Sequence, residues 1–311
     1  MTTQADLPDA RVIGSRLGLR EQVASIWTYR QLLMRMVRKE LKVKYKNSFL
    51  GFFWSMLNPA LYLFVFWLVF QVILQAGIPS FPIFLLSGLL AWNLFSTALG
   101  TATVSITNNG PLVGKVYFPR EILPLASVGA ALVHFFLQAV VLLAALVVFR
   151  YDISFTHSLA IPPALVALLV LTVGVAICLS AANVYLRDTQ HLVELGLLAW
   201  FWLTPVVYQQ QLLAGRLEDK TWAWIQWLNP LSTIVVVFQR GIYNVVATEG
   251  GKPTIRPFAQ TNETVVKILP PDMDLGWYVT HLGAVAAAGV VLLVVGLMFF
   301  GRVSGNFAEE V

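Results

Sequence analysis

Residues 47–114 form a run of 68 positions without one Asp, Glu, Lys or Arg. A water-exposed domain does not carry such a stretch. About 20 apolar residues span a hydrocarbon core, so the run holds two membrane passes with a turn between them. Composition agrees, at 58% hydrophobic and 12% charged, where an average soluble domain carries about 25% charge. The expected fold class is therefore an all-α polytopic membrane protein. The one cysteine, Cys178, lies in an apolar run and excludes a disulfide framework, a CxxC redox pair and a cysteine-ligated zinc site. The first 46 residues are too charged for a signal peptide, so no cleavage is expected.

Further uncharged runs cover 122–149, 153–186, 195–215 and 275–301. Together they predict six transmembrane helices near 50–75, 81–107, 124–148, 163–183, 191–208 and 277–300. Proline precedes helices two, four and six at Pro79 and Pro82, Pro162 and Pro163, and Pro270-Pro271, where a missing N–H costs nothing. Asn58-Pro59 falls inside the first helix and should kink it. Basic residues of short loops set orientation. Ten lie in residues 1–50; Lys115, Arg120, Arg187 and Arg302 join them on the same side. The other side has Arg150 in a short loop and six more in the long 209–276 segment, which the rule discounts. Both termini are expected in the cytoplasm. The organisation reads as a tail at 1–20, an interface helix at 21–46, a six-helix membrane domain at 47–300 and a cytoplasmic tail at 301–311. Within the 209–276 segment, residues 231–247 are apolar but only 17 long and carry Gln239-Arg240; this is a re-entrant or surface-lying helix. Residues 249–274 read as an exposed excursion.

Four features could carry function. The helix at 21–46 puts Val23, Ile26, Leu33, Met34, Val37 and Leu41 on one side, with Arg35, Arg38, Lys39, Lys42 and Lys46 opposite. It is a basic amphipathic helix at a membrane interface, serving either as a topology anchor or as a dock for a cytoplasmic partner or anionic headgroup. Arg30 falls on the apolar face, which singles it out. The loop 108–121 is longer than a turn requires and holds Tyr117, Phe118, Pro119, Arg120 and Glu121; it is either an ordinary surface loop or a contact.

Trp54, Asn58, Tyr62, Phe66 and Phe70 recur every four residues on helix one, and Phe201, Thr204, Pro205 and Tyr208 share a face of helix five. Such rings pack, face lipid or line a passage for sugars, whose CH-rich faces stack on π surfaces. His134 and Gln138 sit one turn apart on helix three and suit a helix-gluing hydrogen bond. Glu194 lies near the interface. Asn93, Thr97, Gly100 and Thr101 on helix two suggest close helix packing. No GxxxxGK[ST] phosphate loop, HExxH or GxSxG motif occurs. Nothing equips the chain to hydrolyse ATP, and no cofactor or metal is expected in it.

Five ordered runs then carry a resemblance. Residues 32–51, 115–124 (Lys115 to Pro124), Asn183-Val184-Tyr185-Leu186-Arg187-Asp188, Thr204-Pro205-Val206-Val207-Tyr208 and Asn229-Pro230-Leu231 are similar, in order and spacing, to ABC-type polysaccharide/polyol phosphate export permeases. These are the membrane subunits that export O-antigen, teichoic acid and related glycans. The resemblance implies a homodimer in the bacterial plasma membrane, working with two separate ATPase subunits that bind ATP and Mg. It implies a glycan on a polyprenyl pyrophosphate lipid as substrate. It makes 21–46 the interface helix, 108–121 the loop coupling to the ATPase, and 209–247 the source of short gate helices on the outer face. The 249–274 excursion and the first twenty residues depart from the family pattern.

The expected function is thus an ATP-driven glycan exporter's permease. Tyr62, Phe66 and Phe70 are expected on one wall of the path and Phe201 and Tyr208 on the other. Tyr117, Phe118, Pro119, Arg120, Glu121, Arg187 and Asp188 are expected at the ATPase. Arg30, Arg38, Lys39 and Lys42 are expected to recruit the pyrophosphate headgroup. The alternatives are a drug or small-lipid exporter permease and a membrane glycosyltransferase or ligase. The last expects catalytic acids on an external loop near the first helices, and residues 76–80 contain none.

Overall fold

The structure is a computed structural model that describes residues 18–45, 53–74, 78–148, 150–151, 155–210, 228–249, 252–254, 265–270 and 273–307. Its helices in chain order are α1 (Leu19–Thr28), α2 (Arg30–Tyr45), α3 (Phe53–Phe66), α4 (Phe81–Thr103), α5 (Gly110–Val113), α6 (Ile122–Val148), α7 (Phe155–Ser158), α8 (Ile161–Tyr185), α9 (Thr189–Leu203), α10 (Pro230–Ile242) and α11 (Leu275–Val303). A π-helix, Trp67–Ile73, continues α3. Among the described residues four helices are long and apolar enough to cross a membrane: α4, α6, the α7–α8 stretch and α11.

The first expected span is one continuous helix from Phe53 to Ile73, α3 and its π-helical continuation. The fifth is shorter than expected. Helix α9 has 15 residues, about 22 Å at 1.5 Å per residue against a core of about 30 Å. It ends because Thr204 turns to an extended backbone, with ψ 132°, just before Pro205, whose ring disfavours helix at the preceding residue. Tyr208 therefore lies beyond helix five, correcting the shared face with Phe201. The kink expected at Asn58-Pro59 and the contacts of Trp54 concern side chains outside the described residues, as do residues 1–17, 46–52, 211–227, 255–264 and 308–311.

Helix α10 is covered by its neighbours. Every residue from Leu231 to Ile242 is buried, so this helix is inserted among the others. It packs on α4, α8 and α6, with Phe238 edge-on to Phe135 at 6.0 Å. Pro230 opens it and Asn229 caps it by accepting from the Leu231 N–H. Asp274 caps α11 in the same way through the Trp277 N–H at 2.7 Å. The excursion is not helical throughout. Strands β1 (Ala247–Glu249), β2 (Lys252–Thr254) and β3 (Val265–Lys267) form an antiparallel sheet in the order β2-β1-β3.

The closest helix pair is α8 with α11. A Cβ on Gly174 would meet the Leu293 backbone N at 2.7 Å, and one on Gly289 the Leu171 N at 2.8 Å. Two glycines thus let two backbones touch. The packing expected at Gly100 is absent: nothing lies within 4 Å of its Cβ position, and Thr101 bonds back to its own helix. Gln138 does glue helices: its side-chain oxygen accepts from Asn93 on α4 at 3.2 Å.

The expected interface helix is broken at Tyr29 into α1 and α2. Its buried edge is Met36 and Val37, while Val23 and Met34 are exposed. Val37 seats against Gly129 of α6. Arg30 is exposed and lies 5.8 Å over the Trp27 ring, so it does not sit on a buried face.

Candidate functional site

Three regions gather the residues that the sequence singles out. The first is the bundle end that carries α1 and α2. Lys39 donates to the Asn109 side chain, tying α2 to the 107–109 turn. Phe118, Ile122, Phe300 and Phe307 are buried in one cluster with Met36 and Val37. Arg120 donates to the Ser304 carbonyl and lies 5.7 Å over the Phe307 ring. Phe307 meets Tyr185 at 6.0 Å, and the Tyr185 hydroxyl donates to the Val303 carbonyl at 2.8 Å. The 114–121 loop and the end of α8 therefore meet over the chain's last turn.

This arrangement divides the expected coupling residues in two. Tyr117 is 70% exposed, and Arg187 and Asp188 are exposed as well. Phe118 and Glu121 are buried, while Arg120 and Pro119 are half-buried. The first group is presented outward and the second holds the loop in place. Burial pushes the Glu121 carboxyl above the usual carboxylate range, with Arg120 beside it opposing. Arg38 and Lys42 are exposed on α2, free to meet an anion or a partner.

The second region is an aromatic wall. Tyr62 stacks on Phe66 at 6.0 Å, Phe66 lies 6.0 Å from Phe201, and Phe70 stacks on Phe81 at 6.0 Å. Helices one and five thus share one wall within a single chain, where the sequence analysis set them opposite each other. Trp92, Phe95 and Trp200 extend the wall: Trp92 meets Phe201 at 5.4 Å and Phe95 meets Trp200 at 5.2 Å. Sequence reasoning missed these three because their spacing matches no repeat. Tyr62 is 51% exposed. Tyr208 is half-buried and donates to the Trp202 carbonyl at 3.0 Å.

Asn229 and Gln239 lock α10 to this wall. The Trp200 indole donates to Asn229 Oδ1 at 2.8 Å, and Asn229 Nδ2 donates to Thr204 Oγ1 at 2.9 Å. Gln239 Nε2 donates to the Pro205 carbonyl at 3.1 Å, in a space that Gly88 leaves open.

The third region is the opposite end. Tyr243 Oη donates to the Pro79 carbonyl at 2.7 Å, Tyr151 Oη to the Tyr243 carbonyl at 2.6 Å, and Ser158 Oγ to the Gly241 carbonyl at 2.7 Å. His157 Nδ1 and Tyr278 Oη are 2.9 Å apart. Arg240 is buried among these elements. An arginine in a short apolar run was the available signal; the sequence analysis used it only to shorten the span. Glu194 is exposed on α9 and lies 3.7 Å from His191. Among the described residues no group of three His, Cys, Asp or Glu side chains could hold a metal ion.

Comparison with known proteins gives a consistent result. The family described as ABC-2 type transporter matches residues 31–243. An O-antigen export system permease protein RfbA of Klebsiella pneumoniae is 28% identical over 278 residues, covering 89% of this chain and 94% of the relative. An RfbA of Myxococcus xanthus with the same description is 34% identical over 221 residues, covering 71% and 84%. The polysialic acid transport protein KpsM of Escherichia coli is 22% identical over 216 residues, covering 68% and 81%.

Proposed function

The chain belongs to the ABC-2 type transporter family, and from that membership we propose that it is the permease subunit of an ATP-driven exporter of polysaccharide. One observation carries this reading: the likeness to O-antigen export permeases runs along nearly the whole of both chains. The substrate is a glycan linked to polyprenyl pyrophosphate, and the direction is outward across the bacterial plasma membrane. Six passes, with α9 as the short one, put both termini in the cytoplasm. ATP and Mg belong to a separate ATPase, since the sequence has no loop to cradle phosphates.

Two permeases and two ATPases make the working unit. A glycan cannot cross hydrocarbon with its hydroxyls unpaired, so it needs a lined passage. The aromatic wall of Tyr62, Phe66, Phe70, Phe201 and Tyr208 is half of that lining, and a second copy supplies the facing half. The gate is α10, held at the outer end. Tyr117, Arg187 and Asp188 touch the ATPase, with Phe118, Pro119, Arg120 and Glu121 as their support. Arg30, Arg38, Lys39 and Lys42 draw the pyrophosphate to the cytoplasmic leaflet, because a basic helix concentrates anions and arginine forks match phosphate.

Deletion of the gene in its native host, followed by complementation, tests the reading. Loss of surface polysaccharide with accumulation of lipid-linked glycan inside is the expected outcome. Restoration should require this chain and its ATPase together; ATP hydrolysis by the purified chain alone, or unchanged surface glycan, would refute the proposal. Phe66→Ala should slow export several-fold while the complex still assembles and binds ATP. Wild-type export by that variant would remove the wall from the path.

A further inference from the structure

We propose that Arg240 is the anion-binding group of a phosphate site at the bundle end opposite α1 and α2. Its side chain is 3% exposed, and a guanidinium does not give up its proton inside a protein. Burying such a charge is tolerated when an acid neutralises it. Among the described residues the one ion pair is His191 with Glu194, far along the chain from Arg240. Among the described residues the acceptors that Arg240 reaches are neutral: its Nη1 donates to the Asn244 carbonyl and to Asn244 Oδ1, both at 2.8 Å. Nε is buried with no hydrogen-bond partner.

Helix capping accounts for part of this. Arg240 lies in the last turn of α10, where a cation suits the exposed carbonyls and the helix dipole. That role uses Nη1. It leaves Nε without a partner and, among the described residues, the positive charge unanswered, and a guanidinium in that state matches the oxygens of a phosphoryl group. Among the described residues the neighbouring groups that can titrate are His157 and Tyr278, bonded to each other at 2.9 Å, and Tyr151 and Tyr243; none supplies a negative charge near neutral pH.

The surroundings explain how an anion would enter. The end of α10 is held by hydrogen bonds from Ser158 to Gly241, from Tyr151 to Tyr243 and from Tyr243 to Pro79. Release of that turn uncovers the guanidinium, so a bound phosphate favours the released state. On the topology proposed above this end faces outward, and one source of the phosphate is then the lipid pyrophosphate arriving with its glycan. The other source is the headgroup of an ambient anionic lipid.

Equilibrium dialysis of the full chain in phosphatidylcholine nanodiscs, with radiolabelled inorganic pyrophosphate, tests the site. Arg30→Gln/Arg38→Gln/Lys39→Gln/Lys42→Gln serves as the background, so that the four groups proposed above to recruit the headgroup do not contribute. Binding near one per chain is expected, and Arg240→Gln should weaken it at least tenfold. Asn244→Asp covers the case in which Arg240→Gln does not fold. It places a carboxylate where the Asn244 amide oxygen already meets Arg240 and answers the charge from within the chain. That variant should raise the Tm yet lose binding to the same extent, which a purely capping role for Arg240 does not predict. Phosphatidylglycerol in the nanodiscs should block pyrophosphate if ambient headgroups occupy the site, and leave it unaffected if the pyrophosphate lipid is the ligand. Absence of binding, or binding unchanged by Asn244→Asp, would overturn the proposal. Because no ATPase or export is involved, its failure is separate from failure of the export reading.

Discussion

Asn229 serves four partners with one amide. Its oxygen accepts from the Leu231 N–H and from the Trp200 indole, and its nitrogen donates to Thr204 Oγ1 and to the Leu203 carbonyl. Alanine there would remove a helix cap and leave the Trp200 N–H inside the wall without an acceptor. Loss of a cap costs about 1 kcal/mol and a stranded buried donor about 1–3 more. Asn229→Ala should therefore lower the Tm by several degrees, and Asn229→Asp should recover the part carried by the oxygen. Equal melting of the Ala and Asp variants would contradict the capping account. Glu121 offers a pH-dependent counterpart. Its carboxyl is 7% exposed, and burial raises its pKa above the ordinary range. The folded state then binds a proton at a pH where the unfolded state has released it, so stability falls as pH rises through that window. Glu121→Gln removes this linkage. The variant should gain on the wild type as pH moves from mildly acidic to neutral; parallel melting curves across that range would show the carboxylate to be compensated. The Asn229-Pro230-Leu231 run was visible in the sequence as a helix start. Its partners were not, because they lie 25 to 29 residues away and nothing local encodes such a meeting.

The π-helix at Trp67–Ile73 explains why a four-residue aromatic repeat can line one wall. In an α-helix a step of four residues overshoots a full turn by about 40°, so Tyr62 to Phe66 drifts one way. A π-helix bonds i to i+5 and turns less per residue, so Phe66 to Phe70 undershoots by about 30° and the drift is reversed. The repeat was legible in the sequence, whereas the change of helix type was not. Close packing of α8 on α11 makes a sharper test at this scale. A methyl on Gly289 would lie 2.8 Å from a backbone nitrogen, which cannot swing aside as a flexible side chain can. Gly289→Ala should destabilise the protein by about 1–3 kcal/mol. Gly100→Ala, with open space around its Cβ, should be neutral or stabilise by up to about 1 kcal/mol through helix propensity. Thermal melting of the two variants in one detergent makes the comparison, and equal effects would undo the account of the seam. The sequence analysis assigned close packing to Gly100 and missed Gly174 and Gly289. Small residues mark a possible approach of two helices, but only the partner's position decides which of them is used. The end of the fifth span was missed for a related reason. Hydropathy counts apolar residues without seeing that Thr204-Pro205 ends α9.

At the scale of the whole molecule, the two bundle ends differ in kind. One gathers α1, α2, the 107–121 loop, the close of α8 and the last turn of the chain, with its exposed edge rich in Lys and Arg. The other gathers Pro79, Tyr151, Ser158, the end of α10 and the start of α11, with tyrosine hydroxyls on backbone carbonyls. The loops that the sequence grouped on one side do meet at one end, since the order of uncharged runs alone fixes the alternation. Which end faces the cytoplasm depends on something else, the bias of short-loop basic residues. The sequence assigns fourteen basic residues to the side of the first end, and to the other side only Arg150 in a short loop. Membrane-impermeant maleimide labelling separates the two arrangements. With Cys178 replaced by Ala, Tyr117→Cys and Phe155→Cys each put one thiol at an exposed position, at opposite ends. Neither change alters a charge, so neither disturbs the bias under test. In intact spheroplasts Phe155→Cys should label and Tyr117→Cys should not; in inside-out vesicles the pattern should reverse. The opposite pattern would invert the topology and place the exposed Tyr117 tip where no cytoplasmic ATPase could touch it. Labelling of both from one side would mean that the two ends do not lie across a membrane, and a passage along the aromatic wall would then connect nothing.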